Sequence, residues 1–217
     1  MEIFDKEAKV YESWYKTTLG SVVLDYESTL LKRMIGKVAN KTILDVGCAT
    51  GVHTRLFANE DNIVTGIDIS KEMITEAKKR RIDDISFLQM DATKMDFPDN
   101  SFDIVFSVTM IEFVTDKKKL INELFRVLKP GGYLFIGTIQ KNSHFYDLYK
   151  TDFFKNNTVF KYAEFLERKD LIELKTDLFI KTDECLFNSI EDLELNPNIN
   201  DIKNNKVGSF ILAKYRK

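Results

Sequence analysis

Thr42-Ile43-Leu44-Asp45-Val46-Gly47-Cys48-Ala49-Thr50-Gly51 sets the architecture: a short apolar run carries an acid and then meets a turn bounded by two glycines. Such a run reads as a buried strand, and the apolar spacing through Leu56 and Phe57 makes the unit strand, glycine turn, helix. The glycines let the backbone turn sharply and approach a ligand closely at a helix N-terminus. The unit recurs downstream. Asn62 to Ile67 is a β-rich run closing on Asp68, and Ser70 is placed to cap a helix carrying Met73, Ile74 and Ala77. Glu72 in the first turn of that helix and Lys78-Lys79-Arg80-Arg81 in its last suit the helix dipole. Ile85 to Met90 ends at Asp91, and Phe102 to Val108 is almost continuously apolar, as a strand covered on both faces requires. Leu120, Leu124 and Leu128 mark a helix that stops at Lys129-Pro130-Gly131-Gly132, ahead of a strand from Tyr133 to Gly137.

Strands alternating with helices at this spacing predict a doubly wound α/β fold whose parallel sheet has helices on both faces. Outward from this core the pattern changes. From Asp5 to Ile35, Ala8, Tyr11 and Tyr15 and then Val23, Tyr26, Leu30 and Met34 recur at helical spacing, which predicts two helices broken near Gly20. Beyond Thr138, an irregular stretch from Lys141 to Thr158 leads to a helix around Phe160 to Glu167 and strands near Leu171 to Ile180 and Val207 to Tyr215. Ser189 to Asn205, rich in Asn, Asp and Glu, reads as a surface loop. The whole is expected to form one domain: a helical cap over 1–40, a core over 41–140, and a substrate-side insertion with a C-terminal hairpin over 141–217.

Composition narrows the function. The 32 basic and 34 acidic residues of this 217-residue chain nearly balance, so no field favours polyanions, and neither nucleic acid nor an anionic membrane is an expected partner. Charge at Glu2, Asp5 and Lys6 stands where a signal peptide needs an apolar run, which with two widely separated cysteines, Cys48 and Cys185, predicts a cytoplasmic protein. No cluster of ligating residues suggests a metal.

In an open parallel sheet, ligands bind beyond the carboxyl ends of the strands, so the residues there carry the chemistry. Asp68, at the tip of the second strand, can accept both hydrogen bonds of a ribose diol. Asp91 can accept from an exocyclic amine while the Ala92 N–H donates to a ring nitrogen, a pair suited to adenine. The four stretches ILDVGCATG, GIDIS, DATKMDFPDNSFDIVFS and LFRVLKPGGYLFI, in this order, resemble the class I S-adenosylmethionine (AdoMet)-dependent methyltransferases, in particular their UbiE-like small-molecule group, across residues 41–140. The resemblance implies a seven-stranded sheet with an antiparallel last strand. It also implies a cofactor site in which Asp45 and the turn Gly47, Cys48, Ala49, Gly51 lie beside the methionine part of AdoMet. Asp68 would hold the ribose, Ile69 would pack on the base, and Asp91 and Ala92 would read the adenine, with Tyr11, Met73 and Ser107 completing the site. Ala49 stands where the family usually has a third glycine.

The implied reaction is methyl transfer to a small-molecule acceptor. Because a sulfonium is already a good leaving group, a catalytic base is needed only for some acceptors, such as a hydroxyl. His144 is the candidate base, set against its reading as a solvated loop histidine; His53 reads as structural or near the cofactor carboxylate, and Glu112 as facing substrate or as a helix-entry charge. Tyr11, Trp14 and Tyr15 read equally as a lid or as core. Two rival functions remain at this level: a nicotinamide-dinucleotide oxidoreductase, whose G-x-G-x-x-G turn Gly47-x-x-x-Gly51 fits poorly, and a noncatalytic AdoMet binder. An open pocket among Tyr15, Thr109, Gln140 and Phe145 would favour the enzyme over the binder.

Overall fold

A computed structural model of the chain describes residues 3–58, 61–79, 85–201 and 207–217. The strands are β1 (Thr42–Val46), β2 (Ile63–Asp68), β3 (Ile85–Gln89), β4 (Phe102–Val108), β5 (Leu128–Ile139), β6 (Phe179–Cys185) and β7 (Phe210–Arg216). They form one sheet in the order β3-β2-β1-β4-β5-β7-β6. Pairing is parallel from β3 through β5, whereas β7 runs antiparallel to both β5 and β6. The helices are α1 (Tyr11–Trp14), α2 (Thr18–Ile35), α3 (Lys71–Lys79), α4 (Lys117–Val127), α5 (His144–Tyr149), α6 (Asp152–Asn157), α7 (Arg168–Leu174) and α8 (Ile190–Leu195).

Successive residues of a strand point to opposite faces, and here both faces are apolar. Ile43, Ile104, Phe106 and Phe135 pack with Leu30, Leu31 and Met34 of α2 on one side; Leu44, Val46, Val105 and Leu134 pack with Leu120 and Leu124 of α4 and Leu171 of α7 on the other. The chain leaves β1 toward β2 and β3 on one side and returns to β4 on the other. The carboxyl ends of β1 and β4 therefore flank the crevice where such sheets bind ligands.

Several local expectations need correction. The break expected near Gly20 lies at 15–17, just ahead of it: Thr17 caps α2 by accepting from the Gly20 N–H at 3.0 Å, and a Cβ on Gly20 would lie 2.0 Å from the Trp14 carbonyl oxygen. Gly20 thus sits inside the first helical turn because the preceding turn folds onto it. After the glycine loop there is only a 3₁₀ turn, Thr54–Phe57, instead of an α-helix. The Lys129-Pro130-Gly131-Gly132 segment belongs to β5, which starts at Leu128; it is taken up as a register shift between the Phe102 and Ile104 pairings. Arg80 and Arg81 lie outside the described residues.

The larger corrections lie beyond Thr138. The helix expected over 160–167 is a 3₁₀ turn, Val159–Tyr162, while the strand expected from Leu171 begins as helix α7 and becomes β6 only at Phe179. A capping box starts α7: the Glu167 N–H donates to Asp170 Oδ2 at 2.8 Å. The expected surface loop contains α8, capped by Ser189, whose Oγ accepts from the Asp192 N–H at 3.1 Å; residues 202–206 of that loop are outside the described set. Among the described residues no helix is long and apolar enough to cross a membrane.

Candidate cofactor and acceptor cavity

The strand ends open into a cavity of about 720 Å³, inside the range of roughly 300–1,000 Å³ typical of small-molecule sites. The β1 turn builds its floor. The Gly47 and Cys48 N–H groups both donate to the Ile67 carbonyl, at 2.8 and 2.9 Å, which folds the turn back against β2. Gly47 has φ +76, and a Cβ there would come within 2.3 Å of Met110 Cγ, so the bare backbone lets the β4 end close down on the turn. Ala49 adopts φ +47, a left-handed conformation unusual for a residue with a Cβ, and its N–H donates to Asp68 Oδ2 at 2.9 Å.

Asp68 is therefore already engaged: its Oδ1 also accepts from the Ser70 N–H at 2.9 Å. An ionised carboxylate has about four lone-pair positions, so two remain for a ligand diol. Burial pushes the Asp68 carboxyl up, and the two backbone N–H bonds draw it back down. Ile69, 37% exposed at the rim, together with Met73 and Ala92, supplies an apolar slot beside Asp91, whose Oδ1 accepts from the Thr93 N–H at 2.8 Å. Two acceptors flanking an apolar slot suit a nucleoside.

Eight of the twelve residues assigned to the cofactor face this cavity: Tyr11, Gly47, Ala49, Asp68, Ile69, Met73, Asp91 and Ala92. Asp45, Cys48, Gly51 and Ser107 do not. Asp45 is buried behind the turn, accepting from Thr54 Oγ1 at 2.6 Å, and burial pushes its carboxyl to about 7. Cys48 is buried among Ile74, Ala77 and Phe87, and Gly51 abuts the Phe87 ring. Ser107 is buried with an unpartnered hydroxyl; its neighbours Val108 and Thr109 line the cavity in its place. His144 opens α5 but does not line the cavity, so the structure gives it no place against an acceptor; Phe145 points there instead. Tyr15, Thr109 and Phe145 line the open space, whereas Gln140 is turned away, donating to the Gly208 carbonyl at 3.0 Å.

The N-terminal segment lies across the cavity. Tyr11, Trp14 and Tyr15 all line it, and the Tyr11 and Tyr15 hydroxyls are 3.3 Å apart. Asp5 Oδ1 accepts from Ser70 Oγ at 2.5 Å, and Phe4 meets Phe113 edge to face at 5.2 Å, so the segment is pinned to α3 on one side and to the β4 end on the other.

One lining residue was missed from the sequence. Glu27 of α2 is 6% exposed and lines the inner end of the cavity with Val23, Tyr149 and Phe210. Its Oε2 lies 3.7 Å from His53 Nε2, beyond hydrogen-bonding distance. Burial, followed by the charge of Glu112, pushes the Glu27 carboxyl up to about 8, and burial takes His53 down to about 4. Glu112 is held behind the wall, its Oε1 accepting from Thr138 Oγ1 at 3.0 Å and its carboxyl raised by burial to about 7. The available signal was an acid in the apolar stripe of a helix: Val23, Glu27, Leu30, Leu31 and Met34 follow one face.

Comparison with known proteins relates the chain to methyltransferases. Residues 44–136 match the model of a methyltransferase domain family. The chain is 35% identical over 197 residues to an uncharacterised protein of Methanocaldococcus jannaschii, covering 89% of this chain and 90% of that one. It is 31% identical over 172 residues to malonyl-[acyl-carrier protein] O-methyltransferase of Buchnera aphidicola subsp. Baizongia pistaciae, covering 78% of this chain and 65% of that enzyme. A solved S-adenosylmethionine-dependent methyltransferase of Thermotoga maritima superposes over the full length of both chains with a TM-score of 0.80 at 23% identity, a likeness of fold.

Proposed function

The chain belongs to the AdoMet-dependent methyltransferases, and from that premise we propose that this cavity holds AdoMet at its outer end and a small methyl acceptor at its inner end. The observation that carries the reading is the convergence of the Gly47 turn, Asp68 and the Asp91-Ala92 pair on one cavity at the sheet's switch point. Asp68 would accept from the ribose hydroxyls, Asp91 and Ala92 would read the adenine edge, and Ile69 and Met73 would enclose the ring. The Gly47–Ala49 turn would lie against the methionine part, with Asp45 and Cys48 supporting the turn from behind.

Bound AdoMet supplies an electrophilic methyl carbon on a sulfonium leaving group. The protein's own contribution is alignment and dryness. Tyr11, Trp14 and Tyr15 close over the site, and Val108, Ile139, Phe145 and Phe210 form an apolar inner chamber that fixes an acceptor and excludes water. An open inner chamber beyond the cofactor residues favours an enzyme over a passive cofactor binder. In this reading residues 1–40 serve as the cap, and α5 with the segments around Phe160, Leu186 and Phe210 form the acceptor wall.

Titration calorimetry tests the cofactor assignment with S-adenosylhomocysteine (AdoHcy), the demethylated product. Wild type should bind it, and Asp68→Asn should weaken binding roughly 10- to 100-fold, the worth of charge-assisted hydrogen bonds. Unchanged affinity in that variant would remove Asp68 from the site.

A further inference from the structure

The cavity as a whole carries an unbalanced charge pattern. Glu7, Glu27, Asp68, Asp91 and Asp116 line the cavity against a single basic residue, Lys119, among the described residues. Asp68 and Asp91 belong to the nucleoside end, and each already accepts from backbone N–H groups. Glu27 differs. It is more than nine-tenths buried, no hydrogen bond satisfies its carboxyl, and it faces the cavity among Tyr11, Tyr15 and Tyr149. A buried polar group without a hydrogen-bond partner is costly, more so when charged, so its retention at a cavity wall points to a ligand group that completes it.

We infer that the methyl acceptor is a cationic amine whose ammonium group is received by the Glu27 carboxyl. The inference rests on the methyl-transfer reading and assigns the acceptor class within it. The chemistry of the chamber selects this class. An ammonium donates to the open carboxylate oxygens, and its charge is favoured by the faces of the surrounding aromatic rings. A carboxylate or phosphate acceptor would find no fixed cation beside Glu27 among the described residues, with the acid of Glu112 behind it. A neutral hydroxyl would engage the acid but bring no positive charge to favour its ionisation.

The groups facing Glu27 are Tyr11 and Tyr15 from the cap, His53 from the glycine loop, Glu112 from the turn after β4, Tyr149 from α5 and Cys185 from β6. Burial holds His53 neutral and lifts both tyrosine hydroxyls of the cap, and among the described residues no fixed cation adjoins the carboxyl. An arriving ammonium ionises Glu27 and expels its proton. For transfer, one N–H proton of the ammonium moves to the Glu27 carboxylate, which frees the nitrogen lone pair. That pair forms the N–C bond while the C–S bonding pair leaves on sulfur, giving a methylated ammonium, AdoHcy and a protonated Glu27.

The test uses the AdoHcy complex of the full chain, titrated with a panel of primary amines, including 2-phenylethylamine and hexylamine. The matched alcohols and carboxylates are titrated alongside, in two buffers of different ionisation enthalpy at pH 7. At least one amine should bind about 30-fold or more tightly than its alcohol, releasing about one proton as Glu27 ionises. Glu27→Gln should remove both the preference and the proton release while AdoHcy affinity stays unchanged. The proposal is overturned if no amine is preferred, if the alcohol or carboxylate binds as well, or if the preference survives in Glu27→Gln. It is equally overturned if the variant loses AdoHcy affinity, since Glu27 would then serve the cofactor's own amino group. Failure of wild type to bind AdoHcy would instead remove the underlying methyl-transfer reading.

Discussion

Ala49 shows how one residue can be both readable and strained. The turn needs a left-handed backbone at this position, where φ is +47, yet the residue carries a Cβ. For an L-residue that conformation costs roughly 1–2 kcal/mol, a cost glycine avoids. Ala49→Gly should therefore raise the thermal midpoint by a few degrees while leaving the Asp68 hydrogen bond, and with it AdoHcy affinity, in place; calorimetric melting checks it. A lowered midpoint would mean that the alanine methyl packs more usefully than its backbone strains. Glu27 is the converse case, an acid whose place at the cavity wall is invisible until the fold shows which face of its helix is covered and by what.

At the scale of elements, the N-terminal segment is held by few contacts for what it covers. Asp5 joins it to Ser70 and, at 3.4 Å, to the Glu72 N–H, while α1 is only four residues long and its side chains are at most partly buried. Helices this short take their stability from docking, not from propensity. Asp5→Ala should release the segment: limited proteolysis should cut ahead of α2 several-fold faster, and AdoHcy should dissociate faster with little change in the melting of the sheet. Equal proteolysis rates would show that Phe4 and the tyrosines hold the cap without Asp5. The strand and helix alternation of β1 to β5 was legible because parallel strands covered on both faces are continuously apolar and are cut by glycines. The C-terminal elements were not, since α7 is seven residues long and its Leu171, Ile172 and Leu174 satisfy a strand pattern and a helical one alike.

Across the whole molecule, burial of acids sets an unusual pH dependence. Glu27, Glu112 and Asp45 have carboxyls raised to about 8, 7 and 7 in the folded chain. A raised carboxyl binds its proton more tightly when folded, so its contribution to stability is complete below the ordinary value near 4 and is lost as pH rises through the raised one. His53, lowered to about 4, works in the opposite sense: its contribution is present above the ordinary value of 6.5 and is lost as pH falls toward 4. Three groups against one predict that the ligand-free protein loses stability from pH 5 to pH 8, each acid contributing a slope on the order of 1 kcal/mol per pH unit. Denaturant melts should show that fall, and Glu27→Gln should flatten it by about one group's share; a flat wild-type profile would contradict the assignment.

The sequence by itself determined the sheet's parallel core, the order of its strand-end motifs and the acids at their tips, because these depend on short-range rules: apolar runs, glycine turns and caps. Only the tertiary structure decided which of those residues share a cavity. It left Asp45, Cys48, Gly51, Ser107 and His144 off the cavity lining and brought Glu27 onto it. The reason is that a side chain's surroundings are set by elements far away in the chain. Glu27 meets His53, Tyr149 and Phe210 only because α2, the glycine loop, α5 and β7 all close on one end of the sheet.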